Sequence, residues 1–253
     1  DELGEIDVDR QIPLGRKNPN GIAIIIGTQD YDDINNYPSL RYASRDRDVM
    51  RNYFSKSFGL SDFQMLPSKP WQMEGGPSGQ EYRMIFDPYQ GDLRKRVISA
   101  EKYSDMEDIN IYVYYRGYGE WVNGKPLLIP KDAKYDRHIT KYPLEELVNN
   151  LSMLSVLKSI KTVTLFLDIT YVNPEESSGL LWDFPEISEK ICILNACSNG
   201  ETSQIYDDKK HSFYTYSLLK GLSGSADDGN SIMDLGEITE YVYKSIPEHI
   251  RNQ

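Results

Sequence analysis

The sequence predicts one α/β domain built on a mostly parallel central sheet of about six strands, with helices on both faces. Short runs rich in β-branched residues, such as Ile22-Ala23-Ile24-Ile25-Ile26-Gly27, read as strands buried on both sides. Amphipathic stretches of helical period separate these runs, the alternation of a chain wound by right-handed βαβ crossovers. The 253 residues suit a single core, and a chain of this length buries roughly 70–75% of its unfolded surface.

Residues 1–20 are polar, contain two prolines and show no clear period, so an arm or lead-in linker is expected there, with residues 21–253 forming the domain. Ile22 to Gly27 is the first strand. Leu40, Ala43, Val49, Met50, Tyr53 and Phe54 recur at near-helical spacing and predict a crossover helix ending around Gly59. Phe63 to Pro67 reads as a short second strand, Lys69 to Gln80 as an irregular loop, and Asp92 to Tyr103 as a helix. Ile109 to Tyr115 is the third strand, followed by a brief extended piece at Lys125 to Pro130. Leu144 to Leu157 carries apolar residues at helical spacing behind Pro143. Thr162 to Asp168 and Ile191 to Cys197 are the fourth and fifth strands. A polar loop, Ser198 to Lys210, leads to a helix from Phe213 that Gly221 ends, and Leu235 to Ile246 is the last helix.

Composition narrows function. A net charge of −11 repels phosphate backbones, so no nucleic-acid partner is expected. No apolar run approaches the ~18 residues that cross a membrane. Cys192 and Cys197, five positions apart on one strand, are not expected to bond, and two cysteines fit either a reducing or an oxidising compartment. The start at Asp1, without methionine or a leader, reads as a processed form or an excised piece. Most of the 19 tyrosines, Tyr112, Tyr114 and Tyr115 among them, are expected as half-buried strand residues whose aromatic rim would suit protein binding.

Four segments carry a family resemblance. They are Ile24 to Gly27 with Tyr31 and the Arg45-Asp46 pair; Tyr114-Tyr115-Arg116-Gly117-Tyr118-Gly119; Leu165-Phe166-Leu167-Asp168; and Ser212 to Leu222. In order and spacing they resemble the caspase-like fold of bacterial C14-type peptidases and metacaspases, from Ile22 to about Pro247. The resemblance implies a histidine and a cysteine at the ends of the third and fourth strands. Tyr118 and Thr170 stand there instead, 52 positions apart, close to the roughly 50 of a caspase histidine–cysteine pair. A phenol of unperturbed pKa near ~10 is a poor base at neutral pH, and an alcohol ionises far less readily than a thiol.

The expected product is a catalytically inactive pseudopeptidase that binds a protein or peptide, with no cofactor. Pairing along the last strand, and so a homodimer through a sheet edge, is what the resemblance suggests, as is export to a bacterial envelope. Tyr118 and Thr170 are expected to share a phenol–hydroxyl hydrogen bond. Arg116, Gly117, Gly119, Asp168 and Asp46 are the expected remnants of the pocket: Gly119 as a backbone donor, Arg116 paired with Asp168, and Asp46 with Asp168 as the acidic groups that metacaspase-like relatives use to hold basic side chains. The alternative is an endopeptidase whose nucleophile has moved to Thr170 or Cys197 with His211 as base; His138 and His249 are the other histidines. The turn Asp227-Asp228-Gly229-Asn230 lacks the spacing of a calcium loop, and no metal is expected.

Overall fold

The computed structural model describes residues 6–67, 75–104, 108–177, 187–197, 200–229 and 234–247. Five parallel strands form the centre: β1 (Gly21–Gly27), β2 (Met65–Leu66), β3 (Ile109–Val122), β6 (Ile160–Tyr171) and β7 (Ile191–Asn195), in the order β2-β1-β3-β6-β7. Two short antiparallel strands, β4 (Lys125–Leu128) and β5 (Tyr142–Pro143), extend the sheet from the far end of β3 to seven. The β3–β4 connection is the two-residue turn Asn123-Gly124, with φ of 51° and 73°. Positive φ at both central positions makes the mirror-image turn whose twist matches that of paired strands, and Asn-Gly is its usual sequence.

Alternation along β1 separates two cores. Ile22, Ile24 and Ile26 face α3 (Gly79–Phe86), α4 (Asp92–Ser104) and α5 (Leu144–Ser155), where Tyr82, Val97 and Leu147 are fully buried. Ala23 and Ile25 face α2 (Ala43–Lys56), α6 (Phe213–Lys220) and α7 (Leu235–Ser245), packed on by Met50, Leu218 and Ile238. Helices therefore cover both faces, as expected of a doubly covered parallel sheet.

The third and fourth strands run past their expected ends. β3 continues beyond Tyr115 to Val122 and β6 beyond Asp168 to Tyr171 without a break, pairing Arg116 with Asp168, Gly117 with Ile169, Tyr118 with Thr170 and Gly119 with Tyr171. The two glycines permit this. A Cβ on Gly119 would lie 2.4 Å from Ile169 Cγ2, and one on Gly117 2.6 Å from the Tyr115 hydroxyl, so bare backbone gives neighbouring side chains room to close over the ladder. Tyr114 and Tyr115 are fully buried rather than half-buried, because this ladder is covered on both sides. The fifth strand stops at Asn195, leaving Cys197 beyond it, and both cysteines are free. The helix from Phe213 runs past its expected end into a turn at Gly221–Ser225, where Gly224 takes φ 108°.

Ahead of β1 the lead-in carries a one-turn helix, α1 (Asp7–Arg10), docked on the α2/α6 face with Val8 1% exposed. Gly59 lets the following segment lie close: its φ is 68°, and its Cβ position is 1.9 Å from the Arg16 carbonyl oxygen. Gly59→Ala is therefore expected to lower stability by about 1–3 kcal/mol. Gly224→Ala, strained in φ but with open space around it, should have the smaller effect in the same denaturant titration.

Candidate functional site

Arg116 lies on the helix α2/α6 face of β3 and is completely buried. Its Nε donates to Asp46 Oδ2 at 3.3 Å and stands 3.5 Å from Asp168 Oδ2, so the guanidinium bridges a carboxylate from α2 and one from β6. Nη1 donates to Thr170 Oγ1 at 2.8 Å and to the Asp168 carbonyl at 3.5 Å, while Nη2 has no partner among the described residues. Burial opposes the Arg116 charge, but Asp168 and Asp46 outweigh it and raise its pKa.

Asp168 is held from a second side by hydroxyls. Ser203 donates to Oδ1 at 2.5 Å, Thr215 to Oδ2 at 2.6 Å, and Ser212 to Oδ2. Thr215 gives its one proton to Asp168, so the 2.7 Å contact with Tyr114 has the phenol as donor. The local fold explains the convergence. Two short antiparallel strands, β8 (Ile205–Tyr206) and β9 (His211–Ser212), end at Ser212, which caps α6 by accepting from Thr215 N–H at 2.8 Å. Capping fixes the hydroxyls of Ser212 and Thr215 on one side of the helix start, over β6.

His211 therefore sits in β9, one residue before that cap. Its ring is fully buried, with Nδ1 2.5 Å from Asp46 Oδ1 and Nε2 3.1 Å from Asp9 Oδ1; Asp9 also pairs with Arg45. Burial disfavours a charged imidazole, but the hydrogen bonds its N–H groups donate to Asp46 and Asp9 outweigh it, and the His211 pKa is raised. The proton on the short Nδ1–Oδ1 contact belongs to the pair. Asp46 and Asp168 come together as expected, and the expected ion pair of Arg116 with Asp168 forms.

Other expected contacts do not form. Tyr118 and Thr170 are ladder neighbours, yet no hydrogen bond joins them among the described residues. Arg116, two residues before Tyr118 on the same face, takes the Thr170 hydroxyl, which itself donates to the Ser203 carbonyl at 3.3 Å. The Tyr118 ring instead packs 5.2 Å from Tyr31 and 6.1 Å from Tyr37, and burial raises its phenol pKa against the opposing pull of Arg116. Gly119 is spent in the sheet, paired with Tyr171 on one side and Leu128 on the other. Cys197 donates its thiol to the Ile169 carbonyl at 3.6 Å, and burial pushes it up to about 12. No hydrogen bond joins His211 to Thr170 or Cys197 among the described residues: both ring nitrogens are already engaged. His138 is exposed in a turn, and His249 lies outside the described residues.

Ser203, Ser212, Thr215, Arg45 and Asp9 were not singled out as site residues. The Ser212-Phe213-Tyr214-Thr215 spacing of a helix cap was the available signal for two of them; Asp9 carried none beyond its alternation with Ile6 and Val8. A separate exposed trio, Asp227, Asp228 and Glu237, brings carboxylate oxygens within 4.8 Å of one another. Glu237 accepts from the backbone N–H of Asp228 and Asp234, and Asp227 from that of Gly229, so these carboxylates tie the turn into α7; Asn230 lies outside the described residues.

Compared with known protein families, residues 20–252 match the model of the caspase domain. Comparison with curated proteins finds no match.

Because folding raises the His211 pKa above 6.5, the folded chain holds that proton more tightly than the unfolded chain. The resulting stabilisation is complete below about pH 6.5 and is lost as pH rises through the folded-state value. Thermal unfolding followed from pH 6 to 9 should show this fall, and His211→Gln should flatten it. Arg116→Met leaves Asp168 with hydroxyl donors but no cation and Asp46 with His211 as its one cationic partner among the described residues, and is expected to lose about 3–5 kcal/mol in denaturant unfolding.

Proposed function

The chain belongs to the caspase domain family, and from that premise we propose that it is a pseudopeptidase, a member that binds a protein or peptide partner and does not cleave it. The observation that carries this reading is the position of the Arg116 guanidinium between Asp46 and Asp168. In metacaspase-like relatives such carboxylates hold the basic side chain of the substrate. Here the chain supplies the cation itself, and the space is filled from within.

The chemistry of the neighbouring groups agrees. Acyl transfer by this family needs a thiolate and an imidazole that activates it. Thr170 Oγ1 accepts from a cation and donates to a carbonyl, neither of which takes up a proton. Tyr118 presents a phenol of raised pKa packed among other tyrosines. In subtilisin, losing the nucleophile or the base alone costs about 10⁶ in turnover. A nucleophile relocated to Cys197 or Thr170 gains no support, since His211 is clamped by Asp46 and Asp9. For binding, β7 pairs with β6 alone among the described strands. Its other edge presents backbone donors and acceptors to an added strand, from a second copy or a partner.

Fluorogenic peptides with Arg, Lys or Asp before the scissile bond should show no turnover above background. Tyr118→His with Thr170→Cys should remain inactive while Arg116 fills the pocket, and adding Arg116→Ser should bring cleavage of basic substrates. Turnover by the unmodified chain that is abolished by Thr170→Ala or His211→Gln would refute the reading.

A further inference from the structure

We propose that the surface gripping α1 is a peptide-recognition site for an acidic–aliphatic–acidic motif, occupied in cis by Asp7-Val8-Asp9 and open to the same motif on a partner protein once the arm lifts. The proposal goes beyond the pseudopeptidase reading and stands whether or not the relic centre turns over substrate.

A helix of four residues has too few internal hydrogen bonds to persist alone, so the surface beneath must impose it. That surface offers three consecutive subsites. Lys220 Nζ meets Asp7 at 2.7 Å, and the Tyr216 hydroxyl donates to the same carboxylate at 3.2 Å. An apolar slot on the α2/α6 face takes Val8, whose carbonyl accepts from the Tyr53 hydroxyl at 3.0 Å. Beyond it Arg45 and His211 Nε2 converge on Asp9, which is 2% exposed at its side chain. Two carboxylates anchored on either side of a buried aliphatic residue define both register and direction, as a peptide site requires. These donors lie in α2, β9 and α6, within the family match that begins at residue 20, whereas the arm lies ahead of it. The arm is thus a ligand joined by a short tether to a site built by the domain, and the tether gives it an effective concentration in the millimolar range.

The test uses the full chain carrying Val8→Ala and Asp9→Asn, so that the arm no longer holds its place. A fluorescein-labelled, acetylated peptide of residues 6–12 is titrated and polarisation read. Saturable binding to this variant, at least about tenfold weaker binding to the unmodified chain, and a further loss of about tenfold when the peptide carries Asp7→Asn and Asp9→Asn are expected. Val8→Pro serves as a second way to release the arm, with limited proteolysis reporting release and circular dichroism the fold. Adding Arg45→Gln to the released chain should weaken the peptide on the domain side. Equal binding to released and unmodified chains, or no binding to a folded chain whose arm is cleavable, overturns the proposal and leaves the turnover result untouched.

Discussion

One buried charge cluster organises the domain: Asp46 and Asp168 against Arg116 and His211, with Arg45 and the arm's Asp9 at its edge. Taking such groups out of water is expensive, and the expense is recovered only if nearly every oxygen and proton finds a partner. Here Ser203, Ser212 and Thr215 supply the remaining donors. The cluster spans α1, α2, β3, β6 and the β9–α6 corner, so elements from both ends of the chain are registered on the middle of the sheet by a single set of contacts. With His211 protonated, three negative and three positive groups balance. Net neutrality is what makes so much buried charge tolerable at one place.

The same cluster bears on chemistry. Two carboxylates brought together in a buried site store unfavourable electrostatics in the free protein. The Arg116 guanidinium between Asp46 and Asp168 relieves that tension. Past it β3 and β6 run on as ordinary strands. The tyrosine group at their ends, Tyr31, Tyr37 and Tyr118, then packs as a small core of its own with Leu40 and Ile129.

The central strands and the covering helices were legible because β-branched runs and 3.6-residue periods are local signals. The third strand outruns its expected end at Tyr115 because its β-branched, apolar signal stops there. Gly117 and Gly119 look like loop residues in sequence, but their function here is to let Tyr115 close over one and Ile169 and Tyr171 over the other; the second constraint comes from residues some 50 positions away. The Asn123-Gly124 hairpin follows a local rule, positive φ at both turn positions. The Arg116–Asp168 pair was foreseeable by chemistry, since a fixed cation next to a carboxylate pairs with it; Asp46 entered only through the resemblance, and its bond to Arg116 was not foreseen. The expected Tyr118–Thr170 contact does not form, because Arg116 takes the Thr170 hydroxyl. Asp9 was invisible: its partners, Arg45 and His211, are brought to it only by the finished fold.

The contacts of Asp7 with Lys220 and of Asp9 with His211 span most of the chain. On a ribosome adding about 5–20 residues each second, the first helix would be made roughly 10–40 s before His211 and Lys220, two of the groups that seat it. During that interval the nascent chain must carry Val8 and its flanking acids in the open, available to chaperones or to the wrong neighbour. The arrival of His211 and Lys220, rather than any local propensity, is the event that shuts this window.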